Sequence, residues 1–300
     1  MKRSENPVED TARGRVTRDG ITLHHPDDFA GMHRAGRLAA EILDAIGPQV
    51  VPGATTAALD DAIRRMIDDA GARSATIGYR GYRHASCISV NHVVCHGIPG
   101  SRIPMWKGET RNRGHDKARP DDRLVDGDIL NIDVTVILDG WYGDTSRMYL
   151  AGQPKAGAPR LIDVTHDALM AGIAAVRPGN TFGDIGAAIQ RLVESRGMSV
   201  VRDFCGHGLG RVFHAPPNVL HYGRPGTGPV LEEGMFFTIE PMVNMGRPET
   251  TILDDEWTAV TCDKSLSAQF EHSLGVTADG CAIFTLSPAG RFHPTGATEG

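Results

Sequence analysis

The sequence predicts an α+β protein made of two related halves, each a pair of helices followed by β-segments. Three observations carry this. A helix, a Pro-Gly break and a second helix occur twice; the copies align on a shift of 126 positions; and short β-rich runs follow each pair. On that shift Pro52 falls on Pro178, Gly53 on Gly179, Thr55 on Thr181, Ile63 on Ile189, Arg65 on Arg191 and Gly71 on Gly197. A solenoid needs at least three units, so the repeat fits a duplicated half and one domain with pseudo-twofold symmetry.

The elements follow in order. Residues 1–20 are polar and aperiodic and read as a flexible tail before a domain spanning 21–290. From Asp27, Phe29, Met32, Leu38, Ile42 and Ile46 fall at helical spacing. After Pro52-Gly53 a second helix carries Leu59, Ile63, Met66 and Ile67 on one face, and Gly71 stops it. Leu161 to Val176 is the third helix. Thr181 to Arg196 is the fourth, with Thr181 as N-cap and Asp184 three residues on. Between the halves, Gly100 to Asp122 mixes Arg, Lys, Asp and Gly with almost no apolar pattern and reads as a long surface loop inserted at about 100–122. Residues 291–300 read as a C-terminal tail.

Composition narrows the function. Hydrophobic residues make up 40% and charged residues 23%, the net charge is -6 and the pI about 6.1, which argues against a dedicated nucleic-acid binder. No apolar run reaches membrane-span length, and the N-terminus has no apolar signal region. Five cysteines, Cys87, Cys95, Cys205, Cys262 and Cys281, match no disulfide or zinc pattern. Reduced thiols in a cytoplasmic protein are expected.

The stretch NIDVTVILDGWYGDTS, Asn131 to Ser146, is polar where a core hairpin should be bland. Asp139-Gly140 signals a two-residue turn, so paired residue numbers sum to 279: Asp133 faces Ser146 and Thr135 faces Asp144. Side chains alternate, so Asp133 and Asp144 share a face as diagonal neighbours, ~7–8 Å apart at the backbone. They are either two solvated aspartates on an open sheet face or a pair that repel unless a cation joins them. A register slipped by one residue would put them on opposite faces.

Further polar residues sit in apolar runs: His207 and His214 in FCGHGLGRVFH, Glu240 in FTIEPMV and Glu271 in AQFEHSLG. Carboxylates with one imidazole suit divalent Mn, Fe, Co or Zn. Five such donors exceed one catalytic metal and suit two ions ~3.5–4 Å apart.

With CHGIPG, NIDVTVI, GDTS, CGHGLG, FTIEPMV, SLSAQFEH and the WT of DDEWT in view, the sequence resembles the bacterial, type I methionine aminopeptidases from about Gly20 to Thr285. The resemblance implies the pita-bread fold, two related halves of helices packed on a curved antiparallel sheet, and removal of the initiator methionine from nascent peptides. It implies that Asp133 chelates one metal, that His207 and Glu240 bind the second, and that Asp144 and Glu271 bridge. Glu240 would also shuttle the proton. His96 would contact substrate near the scissile amide and His214 its carbonyl. Phe213, Tyr79, Tyr82, Cys87 and Trp257 would line the methionine pocket. The cofactors implied are two divalent ions per chain, with a monomer expected.

Two rivals are an X-Pro aminopeptidase or dipeptidase of the same fold, and a non-catalytic protein on that scaffold. The X-Pro relatives usually carry a large N-terminal domain, and CHGIP points away from them. The loop residues Arg102, Lys107, Arg111, Arg113, Lys117 and Arg119, partly offset by Glu109, Asp116, Asp121 and Asp122, make either a solvated loop or a transient ribosome contact.

Overall fold

The computed structural model describes residues 14–107, 118–291 and 293. Among the described residues four α-helices are present: α1 Asp28–Ile46, α2 Thr56–Asp69, α3 Ala158–Ala174 and α4 Phe182–Ser195. The shift of 126 carries α2 onto α4 residue for residue. It also carries the short strand Arg73–Ser74 onto Ser199–Val200. Gly53 and Gly179 share a left-handed φ of 94° and 90°, and Gly71 and Gly197 share 69° and 70°. Both turns require glycine for the same reason, a conformation that costs other residues steric strain.

The helix starts differ in chemistry. The Thr55 hydroxyl accepts from the Ala58 N–H at 3.2 Å. In the second half the Asp184 carboxylate accepts from both the N–H and the hydroxyl of Thr181, at 2.7 and 2.8 Å. The third helix begins at Ala158, three residues before the apolar pattern, because Pro159 is favoured in a first turn.

Each helix pair has its own core. Ile42, Ile46, Leu59 and Ile63 pack with Ile132, Val134 and Val136. Leu161, Leu169, Ile185 and Ile189 pack with Phe237, Ile239 and Leu274. The long hairpin Asp128–Leu138 and Trp141–Ala151 belongs to the first half, and Arg73–Ser74 and Cys87–Val90 extend it. Its register is the predicted one: Leu138 pairs Trp141, Thr135 pairs Asp144 and Asp133 pairs Ser146. Asp139 and Gly140 both have positive φ, 51° and 78°, as the primed turn demands. The second half supplies an antiparallel sheet in the order Ala215–Val219, Gly206–Gly208, Phe236–Ile239, His272–Val276, Cys281–Ile283.

Bonds between the halves include three that flank the site. The Thr145 hydroxyl donates to the Glu271 carbonyl at 2.7 Å and the Ser273 hydroxyl to the Asp144 carbonyl at 2.6 Å. The Glu271 N–H donates to the Ser146 carbonyl at 3.1 Å.

Two expectations change. Arg15–Val16 pairs with Thr22–Leu23, so regular structure begins before residue 20. The 100–122 stretch is not wholly a surface loop. Ile103 and Met105 are buried, Pro104 bridges Ala118, and Arg119 is 2% exposed. Arg119 forms a bidentate pair with Asp128, both contacts at 2.6 Å. The geometry is the planar fork that suits guanidinium and carboxylate. Glu109, Arg111, Arg113, Asp116 and Lys117 lie outside the described residues. At the other end, Arg291 donates to the Asp44 carbonyl at 3.1 Å and the His293 ring stacks on Phe270.

Removing one partner of a buried pair leaves an uncompensated charge. Arg119→Ala is expected to lower unfolding stability by about 3–5 kcal/mol. Urea unfolding checks this, and a loss under 1 kcal/mol would contradict it.

Candidate metal centre and substrate cavity

The five candidate metal donors, His96, His214 and the five candidate methionine-pocket residues all line one cavity of about 720 Å³. The five candidate metal donors come from different strands. Asp133 and Asp144 come from the two strands of the hairpin, on one face as the register requires. His207 sits in Gly206–Gly208, and Glu240 follows Phe236–Ile239. Glu271 lies between Ser267–Gln269 and His272–Val276. A Cβ at Gly206 would strike the Thr238 carbonyl, and one at Gly208 the Pro216 carbonyl. The glycines flanking His207 therefore admit the neighbouring strands at close range.

Donor atoms of Asp144, His207 and Glu271 lie within 4.8 Å of one another. His207 Nε2 is 3.5 Å from Asp144 Oδ2 and 3.8 Å from Glu240 Oε1. Its Nδ1 is 3.1 Å from the Gly208 carbonyl. A donating Nδ1–H there leaves Nε2 free to bind a cation.

The supporting contacts were not legible as site residues. Thr135 Oγ1 donates to Asp144 Oδ1 at 2.7 Å, and Thr238 Oγ1 to Glu240 Oε1 at 2.8 Å. Gln269 Nε2 donates to Glu240 Oε2 at 3.3 Å. The Glu240 N–H donates to His221 Nε2 at 3.0 Å. Thr238 and Gln269 each lie two residues before a site glutamate, on the same strand face, and that spacing was the available signal. His221, fully buried, carried none.

Electrostatics single out the same spot. Burial raises the carboxyl pKa of Asp133 and Glu271, and the charge of Asp144 adds to both. Glu240 is pushed up to about 7 by burial and Asp144, with His207 pulling it down. Burial opposes charge on His207, yet Asp144 and Glu240 raise its pKa. Asp133 Oδ1 is buried with no hydrogen-bond partner. Buried carboxylates with an orphaned oxygen and one imidazole are a donor set short of positive charge, and divalent cations fit it.

The rest of the cavity is aromatic. Tyr82 packs on Trp257 with ring centroids 4.9 Å apart, and His96 meets Phe204 edge-on at 5.6 Å. His214 lies 4.2 Å from the His207 ring and stacks on Tyr79 at 5.1 Å. Phe213 lies between Tyr79 and Tyr142. Burial and the neighbouring His207 lower His214 to about 4, so it is a neutral imidazole at pH 7. Burial lowers His96 as well, and raises the Cys87 thiol above its usual range.

Residues 30–278 match metallopeptidase family M24. The chain belongs to that family. It is 52% identical over 275 residues to the methionine aminopeptidase of Rickettsia prowazekii, covering 91% of this chain and 98% of that one. It is 48% identical over 267 residues to the methionine aminopeptidase of Escherichia coli K12, covering 89% and 94%. The crystal structure of the Rickettsia prowazekii enzyme superposes with a TM-score of 0.80, covering 89% of this chain and 100% of that one. A prolidase from Pyrococcus horikoshii, 17% identical, superposes at 0.64 over 88% of this chain and 63% of its own, a likeness of fold alone. The fold of this M24 chain is thus the pita-bread arrangement, with the donors where its two halves meet.

The raised carboxyls set a pH dependence for the metal-free protein. A carboxyl whose pKa is higher folded than unfolded stabilises the fold only while protonated, so its contribution fades as pH rises through the folded pKa. Buried histidines with lowered pKa, His214 and His221 among them, offset this below pH 6.5, so the metal-free melting temperature is expected to fall between pH 6.5 and about 8. Divalent cation should restore it most at the upper end, where the ligands are deprotonated. Without metal at pH 7.5, Glu271→Gln should melt higher than wild type because a like charge is gone. Calorimetry with and without chelator checks both statements, and a metal-free protein that gains stability from pH 6.5 to 8 would contradict them.

Proposed function

We propose that this M24 chain removes the initiator methionine from nascent polypeptides, using two divalent ions held by Asp133, Asp144, His207, Glu240 and Glu271. The observation that carries this reading is the convergence of those five donors beneath an aromatic cavity, in a chain 52% identical to a methionine aminopeptidase along nearly its whole length. Asp133 would hold one ion and His207 and Glu240 the other, with Asp144 and Glu271 serving both. Cobalt, manganese, iron and zinc all suit this donor set. When bound, the ions polarise the substrate carbonyl and bring the pKa of water towards ~7.

The chain's own groups do the rest. Tyr79, Tyr82, Cys87, Phe213 and Trp257 receive the methionine side chain, since a polarizable thioether packs well against ring edges. The Tyr82 hydroxyl donates to the Ser86 carbonyl at 3.0 Å, which leaves an apolar ring towards the cavity. Asp255 fixes the Trp257 loop by accepting from the N–H groups of Trp257 and Thr258 at 2.9 and 2.8 Å. Glu240 accepts the proton of the attacking water, a role suited to a carboxylate with a pKa near the working pH. Its position is set by Thr238, Gln269 and His221. His214, neutral, keeps an N–H to donate to the developing oxyanion. His96 contacts the scissile amide and assists the leaving nitrogen. The carboxylates hold the free α-amine, so an acylated terminus is a poor substrate, and a small second residue is favoured.

Nascent peptides place the protein in the cytoplasm, as a monomer. No helix among the described residues is long and apolar enough to cross a membrane. Ribosome contact, if made through the 100–122 segment, draws on fewer basic groups than the sequence offers, because Arg119 is committed to Asp128 and Arg102 donates to the Arg119 carbonyl at 2.6 Å.

Glu240→Gln should keep the fold and lower kcat on Met-Ala-Ser by about 10²–10⁴-fold. His214→Ala should cost about 10²–10³-fold. Stopped assays of methionine release with metal present check both, with Ala-Pro as the comparison substrate. Wild-type turnover by Glu240→Gln would refute its proton role. Faster release from Ala-Pro than from Met-Ala would favour the X-Pro reading.

A further inference from the structure

The mouth of the cavity carries a charge that the chemistry above does not use. Arg80 lines the cavity, is exposed, and forms no ion pair among the described residues. Among the described residues its guanidinium lies over the Tyr79 ring, 5.3 Å from the centroid. The backbone holds it in place. Arg80 has φ 48° and ψ 29° in the turn Tyr79–Gly81, between Gly78 at φ 87° and Gly81 at φ 89°. The turn is closed by the Tyr82 N–H donating to the Tyr79 carbonyl at 2.9 Å and by the Gly78 N–H donating to the Tyr82 carbonyl at 2.7 Å. A left-handed conformation is one that glycine adopts freely and arginine does not. A strained arginine on a closed turn, at the rim of a substrate cavity, is a positioned group rather than a wandering one.

Its location assigns a side of the mouth. Arg80 follows Tyr79, whose ring meets Phe213 of the methionine pocket at 4.9 Å and stacks on His214, the group placed at the substrate carbonyl, so Arg80 stands where the pocket gives way to the carbonyl site. Glu256, the other exposed charged residue lining the cavity, precedes Trp257, which packs on Tyr82 in the methionine pocket. With the methionine side chain among Tyr82, Phe213 and Trp257 and its carbonyl at His214, the rest of the peptide would run out past Tyr79 and Arg80. The second side chain is small, so the third is the first that can reach a guanidinium at the rim.

Resting on the methionine-removal reading, we propose that Arg80 is a specificity-determining residue that favours substrates with an acidic side chain at the third position and disfavours basic ones. Arginine suits this because its fork accepts a carboxylate in two parallel hydrogen bonds.

The test is kcat/KM for Met-Ala-Glu-Gly, Met-Ala-Gln-Gly and Met-Ala-Lys-Gly with the metal-loaded full chain at low ionic strength. Wild type should prefer Glu over Lys by about threefold, the size expected of an exposed ion pair. The preference should reside in KM and collapse in 1 M salt. Arg80→Gln should level the series, Arg80→Glu should invert it, and Arg80→Lys should retain part of it. Hydrolysis of all three peptides with a Glu-to-Lys ratio unmoved in Arg80→Glu overturns this inference alone. So does a ratio abolished by Glu256→Gln but not by Arg80→Gln. A metal-loaded wild type that hydrolyses none of the three overturns the methionine-removal reading as well.

Discussion

Like charges in a poorly hydrated space repel, and the interior of this protein is arranged around that fact. Asp133, Asp144, Glu240 and Glu271 converge with only His207 as a cation-forming neighbour. Left alone, such a group takes up protons. The surrounding structure does not relieve the crowding. It fixes it, with Thr135 on Asp144, Thr238 and Gln269 on Glu240, and the Thr145, Ser146 and Ser273 bonds around Glu271. The site is thereby held in the geometry a cation needs before any cation arrives, a form of preorganisation that costs stability in the empty protein.

Holding the donors requires both halves. One half contributes two aspartates through a hairpin whose register is set by a single turn. The other contributes a histidine and two glutamates through short strands packed around glycine. Neither half has a complete donor set. The matched helices α2 and α4, together with the two strands that follow them, show how little the duplicated scaffold has drifted. The divergence lies in the strands that carry the chemistry.

Much of this was legible in the sequence, and for identifiable reasons. The Asp139-Gly140 turn is local, so the pairing of Asp133 with Ser146 follows from parity. The helices follow from apolar spacing and glycine stops. Metal-type donors in apolar runs announce themselves by being out of place. The supporting shell did not. Thr238 and Gln269 are ordinary strand residues until the fold brings Glu240 between them, and His221 depends on a chain reversal that no short stretch encodes. Arg119 misled for the opposite reason. It lies among charged, loop-forming residues, and only the position of Asp128 shows that it faces inward.

That inward pair has a further consequence. Ile103, Pro104 and Met105 on one side, and Ala118 and Arg119 on the other, bring the two ends of residues 108–117 together and tie them to the sheet through Asp128. The described flanks are thereby held to the sheet at Met105 and Ala118. Closing a longer loop costs only about 0.6 kcal/mol for each doubling. Because those flanks are pinned to the sheet through Asp128, a change of chain length between them would reach the catalytic hairpin only through that anchor.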